Sequence, residues 1–332
     1  MTNKPLLSIC IPTYNRAEFL KDALDSILKQ INTKNKDKVE ICISDNASED
    51  NTEELVNEYQ KKSPIPIIYH KNEKNMGADY NFLKVVEIAN GEYCWLLGSD
   101  DIIEESGIDI VLDEIEESRG VDIISFDRKE YSINLNLLGE TECWFDKKKR
   151  NVFNYLGRDW SYMSIIVVKR SKWNVYSLKF KDRYIGTAYS FLPIILNILK
   201  EGGNVKIINK PLIGWRSGND GFLSELKEYG RFKINLNYFK ICMDIYGSKS
   251  NEYRFLRNNL LKHHSFMVGK IISLKLRGVD SFKIIKDVFP YGKNALIFWI
   301  YYIPLCMTPS FMYKIVRPAV KRIRYIKRKF YD

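Results

Sequence analysis

Over the first 130 residues, short apolar runs alternate with stretches of helical period, and this alternation leaves few folds open to the chain. Leu6–Pro12 (LLSICIP), Val39–Ser44 (VEICIS), Ile65–Tyr69, Tyr93–Leu97 (YCWLL) and Asp122–Phe126 have the length and composition of strands. Between them, Arg16–Gln30 repeats apolar residues at Phe19, Leu20, Ala23, Leu24, Ile27 and Leu28, a helical stripe. Thr52–Lys62, Asp79–Ala89 and Glu104–Glu117 also read as helices. Strands linked through helices of this length predict an α/β fold with a mostly parallel sheet and right-handed crossovers. Each strand hands over to a polar stretch: Thr13-Tyr14-Asn15, Asp45-Asn46, Asn75-Met76-Gly77 and Ser99-Asp100-Asp101. Parallel geometry collects these at one edge of the sheet, where open α/β sheets bind ligands.

Among them, Tyr93–Asp101 (YCWLLGSDD) carries the most chemistry. Five apolar residues suit a strand covered on both faces; Gly98 breaks it, and two carboxylates, Asp100 and Asp101, follow. Two acids so placed can hold a hard divalent cation that grips a diphosphate. A plainer role is capping, with Ser99 or Asp100 closing the N-terminus of a helix that starts near Ile102.

Charge separates the two ends of the chain. The whole chain has 52 Lys+Arg and 41 Asp+Glu, of which residues 1–120 hold 13 and 24, leaving 39 and 17 for the remainder. A basic C-terminal part suits anionic lipid or phosphorylated ligands, and nucleic acid is disfavoured because no recognised nucleic-acid module accompanies the charge. Cys10, Cys42, Cys94, Cys143, Cys242 and Cys306 form no Cys-x-x-Cys pair, and His70, His263 and His264 are too few and too poorly spaced for zinc. Scattered cysteines and an N-terminus without a signal-peptide pattern predict a cytoplasmic protein.

Beyond residue 130 the pattern loosens. Ser164–Val168 and Val205–Ile208 read as strands, Ser190–Leu199 as a helix, Gly214–Gly221 as a loop and Phe222–Met267 as helical. Ala295–Tyr313 is almost wholly apolar but interrupted by Pro304 and Pro309, and a basic run from Lys314 to Lys329 follows. That segment is too broken to span a bilayer, which needs roughly 20 apolar residues. Trp299, Tyr301 and Tyr302 beside basic residues fit a helix lying in the membrane interface.

LLSICIPTYNR, VEICISDNASEDNT, KNEKNMGADYN and YCWLLGSDD, in that order and spacing, resemble the start of glycosyltransferase family 2, the sugar transferases of GT-A fold. The resemblance covers residues 6 to about 130. It implies a GT-A domain over 1–220, with a nucleotide-sugar-binding half at 1–128 and an acceptor half at 129–220. A helical region at 221–332 would follow, with a membrane-surface segment at 295–330. By the same resemblance, Pro12, Thr13 and Tyr14 would line the nucleotide pocket, Asp45 would bind the base, and Lys74 and Asn75 would close over the nucleotide. Ser99 and Asp100 would contact the donor, and Asp101 with Asp100 would bind Mn2+ or Mg2+. Ser99 stands where many members carry a third Asp.

Further along, DNAS, NFLKVVEIANGEYCWLLGSDD, SFDRKE (Ser125–Glu130) and RYIGTAYSF (Arg183–Phe191) resemble the abequosyltransferases of O-antigen assembly. These move a 3,6-dideoxyhexose from a CDP-sugar to a mannose of a polyprenyl-diphosphate-linked oligosaccharide. The expected acceptor is therefore lipid-linked, and the expected location is the inner face of the cell membrane, peripherally bound. The acidic pair that often supplies the general base is missing from Tyr184–Tyr189, so Asp182, Asp127 and Asp220 are the candidate bases. Arg128, Thr187 and Arg216 are candidates for phosphate or acceptor contact. Two other readings stay open: a transferase using a UDP- or dTDP-sugar, and a non-catalytic carbohydrate-binding protein. A dinucleotide-binding dehydrogenase lacks its Gly-x-Gly-x-x-Gly after the first strand. A processive synthase lacks spanning helices and a Gln-x-x-Arg-Trp stretch.

Overall fold

The computed structural model describes residues 4–118, 120–140, 160–180, 182–218, 228–262 and 267–313. Asp220, Cys143, His263, His264 and the basic run from Lys314 lie outside them. The chain divides into two compact units, Met1–Ser224 and Glu225–Asp332.

In the first unit, strands β1 (Leu7–Thr13), β2 (Val39–Asp45), β3 (Ile67–Lys71) and β4 (Tyr93–Leu96) pair in parallel in the order β3-β2-β1-β4. β1, β2 and β4 are buried along their whole length, which explains their unbroken apolar runs. Helix α1 (Ala17–Leu28) buries Leu20, Ala23, Leu24 and Ile27, the stripe seen in the sequence. Helix α2 (Thr52–Lys62) buries only Thr52 and Val56 and is otherwise a solvated surface helix. Helix α3 (Ala78–Glu87) starts after Gly77, whose φ of 85° favours glycine.

A buried glutamate fixes the entry to β4. Glu40 on β2 accepts hydrogen bonds from Ser8 Oγ (2.6 Å) and from the amides of Asn90 (2.7 Å) and Gly91 (3.2 Å). Only glycine fits at position 91, because a Cβ there would lie 2.5 Å from Ser8 Oγ and 2.7 Å from the Ser8 amide nitrogen.

The rest of the sheet departs from the expected pattern. Strand β6 (Ile123–Tyr131) does not join β4. Strand β8 (Ile166–Lys169) inserts between them, antiparallel to both. Strand β9 (Val205–Arg216) then pairs parallel to β6, and the short strand β5 (Ile102–Ile103) pairs antiparallel to its end. Strand β7 (Leu137–Glu140) adds to the outer part of β6. The sheet is therefore mixed rather than mostly parallel, because residues beyond 160 supply antiparallel partners that carry no crossover signature. Two element boundaries shift as well. Ile102 opens a strand, and helix α4 (Gly107–Glu117) has Ser106 as its N-cap residue, so neither Ser99 nor Asp100 caps it. Gly214, Trp215 and Arg216 belong to β9, not to a loop. Helices α5 (Arg170–Phe180) and α6 (Leu192–Lys200) complete this unit; the first has no clear apolar stripe in the sequence and was not anticipated.

The second unit is helical: α7 (Glu228–Tyr246), α8 (Asn251–Lys262), α9 (Gly269–Leu276), α10 (Ser281–Gly292) and α11 (Ile303–Met307). The expected helical stretch Phe222–Met267 is thus broken near Gly247, whose φ is 84°. Asp280 caps α10 by accepting from the Lys283 amide (2.9 Å). A π-turn (Phe298–Tyr302) links to α11, where Pro304 sits in the first turn, a position that proline tolerates. No helix among the described residues is long and apolar enough to cross a membrane.

Candidate active site

The strand ends of β1, β2 and β4 and the loop before α3 come together, as expected from parallel strands. Thr13 is buried at the end of β1, and its Oγ1 has no hydrogen-bond partner among the described residues. A buried hydroxyl without a partner costs on the order of 1–3 kcal/mol, a cost that a bound ligand can remove. Tyr14 follows with its side chain 36% exposed. Pro12 pairs with Ser44 within the sheet and is buried.

Asp45 is fully buried, and the fold uses both of its oxygens. Ser48 donates to Oδ1 from its amide (2.9 Å) and hydroxyl (2.6 Å), and the Tyr69 phenol donates to Oδ2 (2.7 Å). Burial first, then the Asp45 carboxylate, pushes the Tyr69 phenol far above its ordinary range.

Four asparagines tie the loop that carries Lys74 and Asn75 to this edge. Asn81 Nδ2 donates to the carbonyls of Ser44 (2.8 Å) and Thr13 (3.2 Å). Asn72 Nδ2 and the Met76 amide donate to Asn46 Oδ1 (3.0 and 2.9 Å), and Asn46 Nδ2 donates to Asn75 Oδ1 (2.7 Å). Asn75 also accepts from the Gly77 amide (2.9 Å), while Lys74 is exposed.

Asp100 and Asp101 occupy the turn between β4 and β5 and live in different surroundings. Asp100 pairs with Arg16 at 2.9 Å, both of them partly exposed. Asp101 is 2% exposed; its Oδ2 accepts from Ser164 Oγ (2.6 Å) and its Oδ1 from the Arg216 amide at 3.4 Å. Burial, then the Asp100 charge, pushes Asp101 up to about 7, against the pull of these donors. The Tyr162 phenol approaches this carboxylate without closing a hydrogen bond to it. Gly98 is required here because a Cβ would lie 2.6 Å from Asp101 Oδ2.

Arg16 and Arg216 contact the two acids, and Arg128 packs on Tyr162 beside them. Arg216, only 4% exposed, donates to Asp22 Oδ2 (2.7 Å), to the Asp100 carbonyl (3.1 Å) and to the Ile133 carbonyl (3.1 Å). Its guanidinium lies 4.9 Å from the centre of the Phe19 ring, and that of Arg16 lies 5.8 Å from it. Arg128 is held against two aromatic faces, Tyr162 at 4.6 Å and Trp215 at 5.2 Å.

The remaining candidates are placed differently. Thr187 is buried and its hydroxyl serves its own turn, donating to the Tyr184 carbonyl (2.6 Å). Asp182 is exposed and lines a groove of about 420 Å³ with Tyr80, Lys84, Asn174 and Ser177, a groove that Asp100 and Asp101 do not line. Asp127 lies on β6 beside Arg128 and is half-buried. A carboxylate does reach the turn where the acidic pair was missing. Asp79 on α3 accepts from the amides of Ala188 and Ser190, each at 2.8 Å.

The carboxylates supply hard oxygen donors, which suit Mg2+ or Mn2+. Among the described residues no group of three or more His, Cys, Asp and Glu could hold a metal, so an ion here would complete its shell from the ligand. Asp101, buried and strained toward protonation at neutral pH, gains most from a neighbouring cation, and in this sense the pair fits the ion.

Sequence reasoning missed Arg16, although it ends the motif Thr13-Tyr14-Asn15-Arg16 and so was within reach. Ser164, Tyr162 and Trp215 left no local signal, since only the antiparallel insertion of β8 and the length of β9 bring them here.

The sequence profile of glycosyl transferase family 2 matches residues 8–169. The abequosyltransferase RfbV of Salmonella typhimurium is 35% identical over 278 residues, 79% of this chain and 82% of that one. The chain belongs to glycosyltransferase family 2. An uncharacterized glycosyltransferase of Methanocaldococcus jannaschii is 36% identical to this glycosyltransferase over 123 residues, 37% of this chain and 41% of that one. Solved structures share the fold. S. aureus TarS in complex with UDP-GlcNAc superposes with a TM-score of 0.64 at 17% identity, covering 86% of this chain and 80% of that one. The mannosyltransferase PcManGT of Pyrobaculum calidifontis, in complex with GDP-Man and Mn2+, gives 0.53 at 14% identity over 97% of this chain and 88% of that one. The mixed sheet with flanking helices is thus a GT-A-like fold, and the chain is a glycosyltransferase that resembles the abequosyltransferases.

Proposed function

We propose that this glycosyltransferase moves a 3,6-dideoxyhexose, abequose or a close relative, from its CDP-sugar to a mannose of a polyprenyl-diphosphate-linked oligosaccharide. The observation that carries the reading is the 35% identity to an abequosyltransferase across 82% of that protein, which extends well past the donor motifs.

On this reading the nucleotide lies along the strand ends. The unpartnered Thr13 hydroxyl and the Tyr14 ring face it, Asp45 holds the Ser48 turn and Tyr69 in place beside the base, and Lys74 and Asn75 cover it from a loop fixed by asparagines. Pro12 sets the end of β1, and Ser99 and Asp100 contact the ribose side. When bound, Mg2+ or Mn2+ at Asp101 and Asp100 would stabilise the charge that grows on the departing diphosphate. Arg128 and Arg216 add fixed positive charge near those acids, Arg216 chiefly by holding the Asp100 backbone. The acceptor hydroxyl attacks the anomeric carbon, the bond to the diphosphate breaks, and a carboxylate takes the hydroxyl proton. Among the described residues Asp127 and Asp182 are the candidates for that carboxylate, and Thr187 shapes the turn beside the acceptor.

The second unit suits a membrane-surface location. Leu296, Trp299, Ile300, Met307 and Phe311 are all exposed, Ile300 by 66%, immediately before a strongly basic sequence. We place the enzyme on the cytoplasmic face of the cell membrane, where its acceptor would be presented.

The deciding experiment offers the purified enzyme CDP-, UDP-, dTDP- and GDP-sugars with Mn2+ or Mg2+ and a lipid-linked acceptor, and measures nucleoside diphosphate release. Turnover of the CDP-dideoxyhexose is expected. Preference for a UDP- or dTDP-sugar removes the donor assignment, and no release with any donor removes catalysis. Asp127→Asn and Asp182→Asn, each followed across pH, separate the two candidate bases through loss of kcat at unchanged donor KM.

A further inference from the structure

Helix α8 carries an arginine whose charge nothing in the described structure compensates. Arg257 is 4% exposed, yet among the described residues it donates only to the side-chain oxygen of the next residue, Asn258 (3.2 Å from Nε and 3.1 Å from Nη2). It makes no ion pair among the described residues. Removing a guanidinium from water without a counter-charge costs several kcal/mol, and arginine cannot relieve the cost by giving up its proton. Burial and the charge of Arg254 both work against the Arg257 cation. One turn earlier on the same helix, Tyr253 is buried beneath the guanidinium, 5.9 Å from ring centre to cation, and its phenol oxygen has no hydrogen-bond partner. Tyr253, Arg254 and Arg257 are spaced i, i+1 and i+4, so Tyr253 and Arg257 share one helix face, with Arg254 at i−3 from Arg257. Two deficits of the same sign therefore coincide: a cation without an anion, and a hydroxyl donor without an acceptor.

We propose that Tyr253 and Arg257, flanked by Arg254, form an oxyanion site for a phosphate or diphosphate group. A phosphate oxygen accepts from the guanidinium N–H groups that Asn258 leaves unused and from the phenol, which satisfies the two deficits together. The site belongs to the helical unit, whereas Asp100 and Asp101 belong to the first unit. The chemistry is shared by a soluble phosphate compound and by the head group of a phosphorylated lipid.

The test measures binding of inorganic pyrophosphate to the full-length protein by calorimetry in EDTA, for the parent protein and for Arg257→Gln, Tyr253→Phe and Asp101→Asn. The parent protein and Asp101→Asn should bind alike, and Arg257→Gln and Tyr253→Phe should bind about tenfold more weakly or worse, the loss expected of a charge-assisted contact. Tyr253→Phe removes one oxygen only, so it keeps the test valid if Arg257→Gln fails to fold. A second arm replaces pyrophosphate with neutral vesicles with and without polyprenyl diphosphate. Tighter capture of the lipid than of pyrophosphate assigns the site to a head group, and the reverse assigns it to a soluble ligand. Unchanged binding in both α8 variants, loss of binding in Asp101→Asn, or no binding of either probe overturns the proposal.

Discussion

At the scale of single residues, the site rests on how differently two neighbouring acids are held. Asp100 is paired with Arg16, while Asp101 is buried against Ser164 and the Arg216 amide. Asp101→Asn is expected to abolish transfer while the protein remains folded, because the amide keeps the size of the side chain but cannot supply the negative oxygens that a hard cation needs. Transfer assays together with thermal unfolding check this; retained turnover overturns the role. Gly98→Ala should damage the same carboxylate from behind, since the added methyl would fall 2.6 Å from Asp101 Oδ2. It is expected to lower kcat at least about tenfold, a loss of ~1.4 kcal/mol of transition-state stabilisation. The two acids and Gly98 were legible in the sequence because strand end, breaker and carboxylates are consecutive. Ser164 was not, because a serine 63 positions away becomes a ligand of Asp101 only through tertiary packing.

At the scale of elements, the asparagine ties and the β5–β9 clamp hold the site in shape. Asn81→Ala would remove the Nδ2 donor that the Ser44 and Thr13 carbonyls share and the Oδ1 acceptor of the Ser44 hydroxyl, and is expected to cost about 1–3 kcal/mol of stability. Because the same network fixes the loop that carries Lys74 and Asn75, the proposed nucleotide contacts predict that donor KM rises more than kcat falls, which steady-state kinetics would show. Gly214→Ala should separate β9 from β5, with a Cβ placed 2.6 Å from Ile102 Cγ1 and 2.8 Å from the Tyr131 ring. That overlap is expected to destabilise the protein by about 1–3 kcal/mol, measured by denaturant unfolding. Strands β1 to β4 were readable because burial on both faces writes itself as an apolar run. Strand β9 was cut short, with Gly214-Trp215-Arg216 read as a loop, because glycine and a charged residue look like turn signals. In the structure the glycine makes room for Ile102, and the arginine is buried against Asp22 and the Asp100 carbonyl.

At the scale of the whole molecule, the exposed apolar side chains of the second unit and the basic sequence that follows predict salt-sensitive membrane binding. Trp299→Ala combined with Ile300→Ala should lower co-sedimentation with anionic vesicles, and raising salt should lower it further for the parent protein. Equal pelleting of parent and variant at all salt concentrations removes the idea. The α/β class and the sheet edge that collects the polar strand ends were evident from the alternation of strands and helices. The mixed pairing was not, because an antiparallel strand inserted from beyond residue 160 leaves no periodic mark in the first half of the chain. That insertion also sets the order in which the enzyme can come into being on the ribosome. Asp101 is synthesised early, but its partners Ser164 and Arg216 arrive 63 and 115 residues later. A nascent chain that ends near residue 130 has the acids in hand, with the far side of β4 unpaired and the buried carboxylate without its hydrogen bonds. The candidate site around Asp101 is therefore among the last parts of this unit to be completed, and a half-made chain holds Asp101 without the partners that fix it.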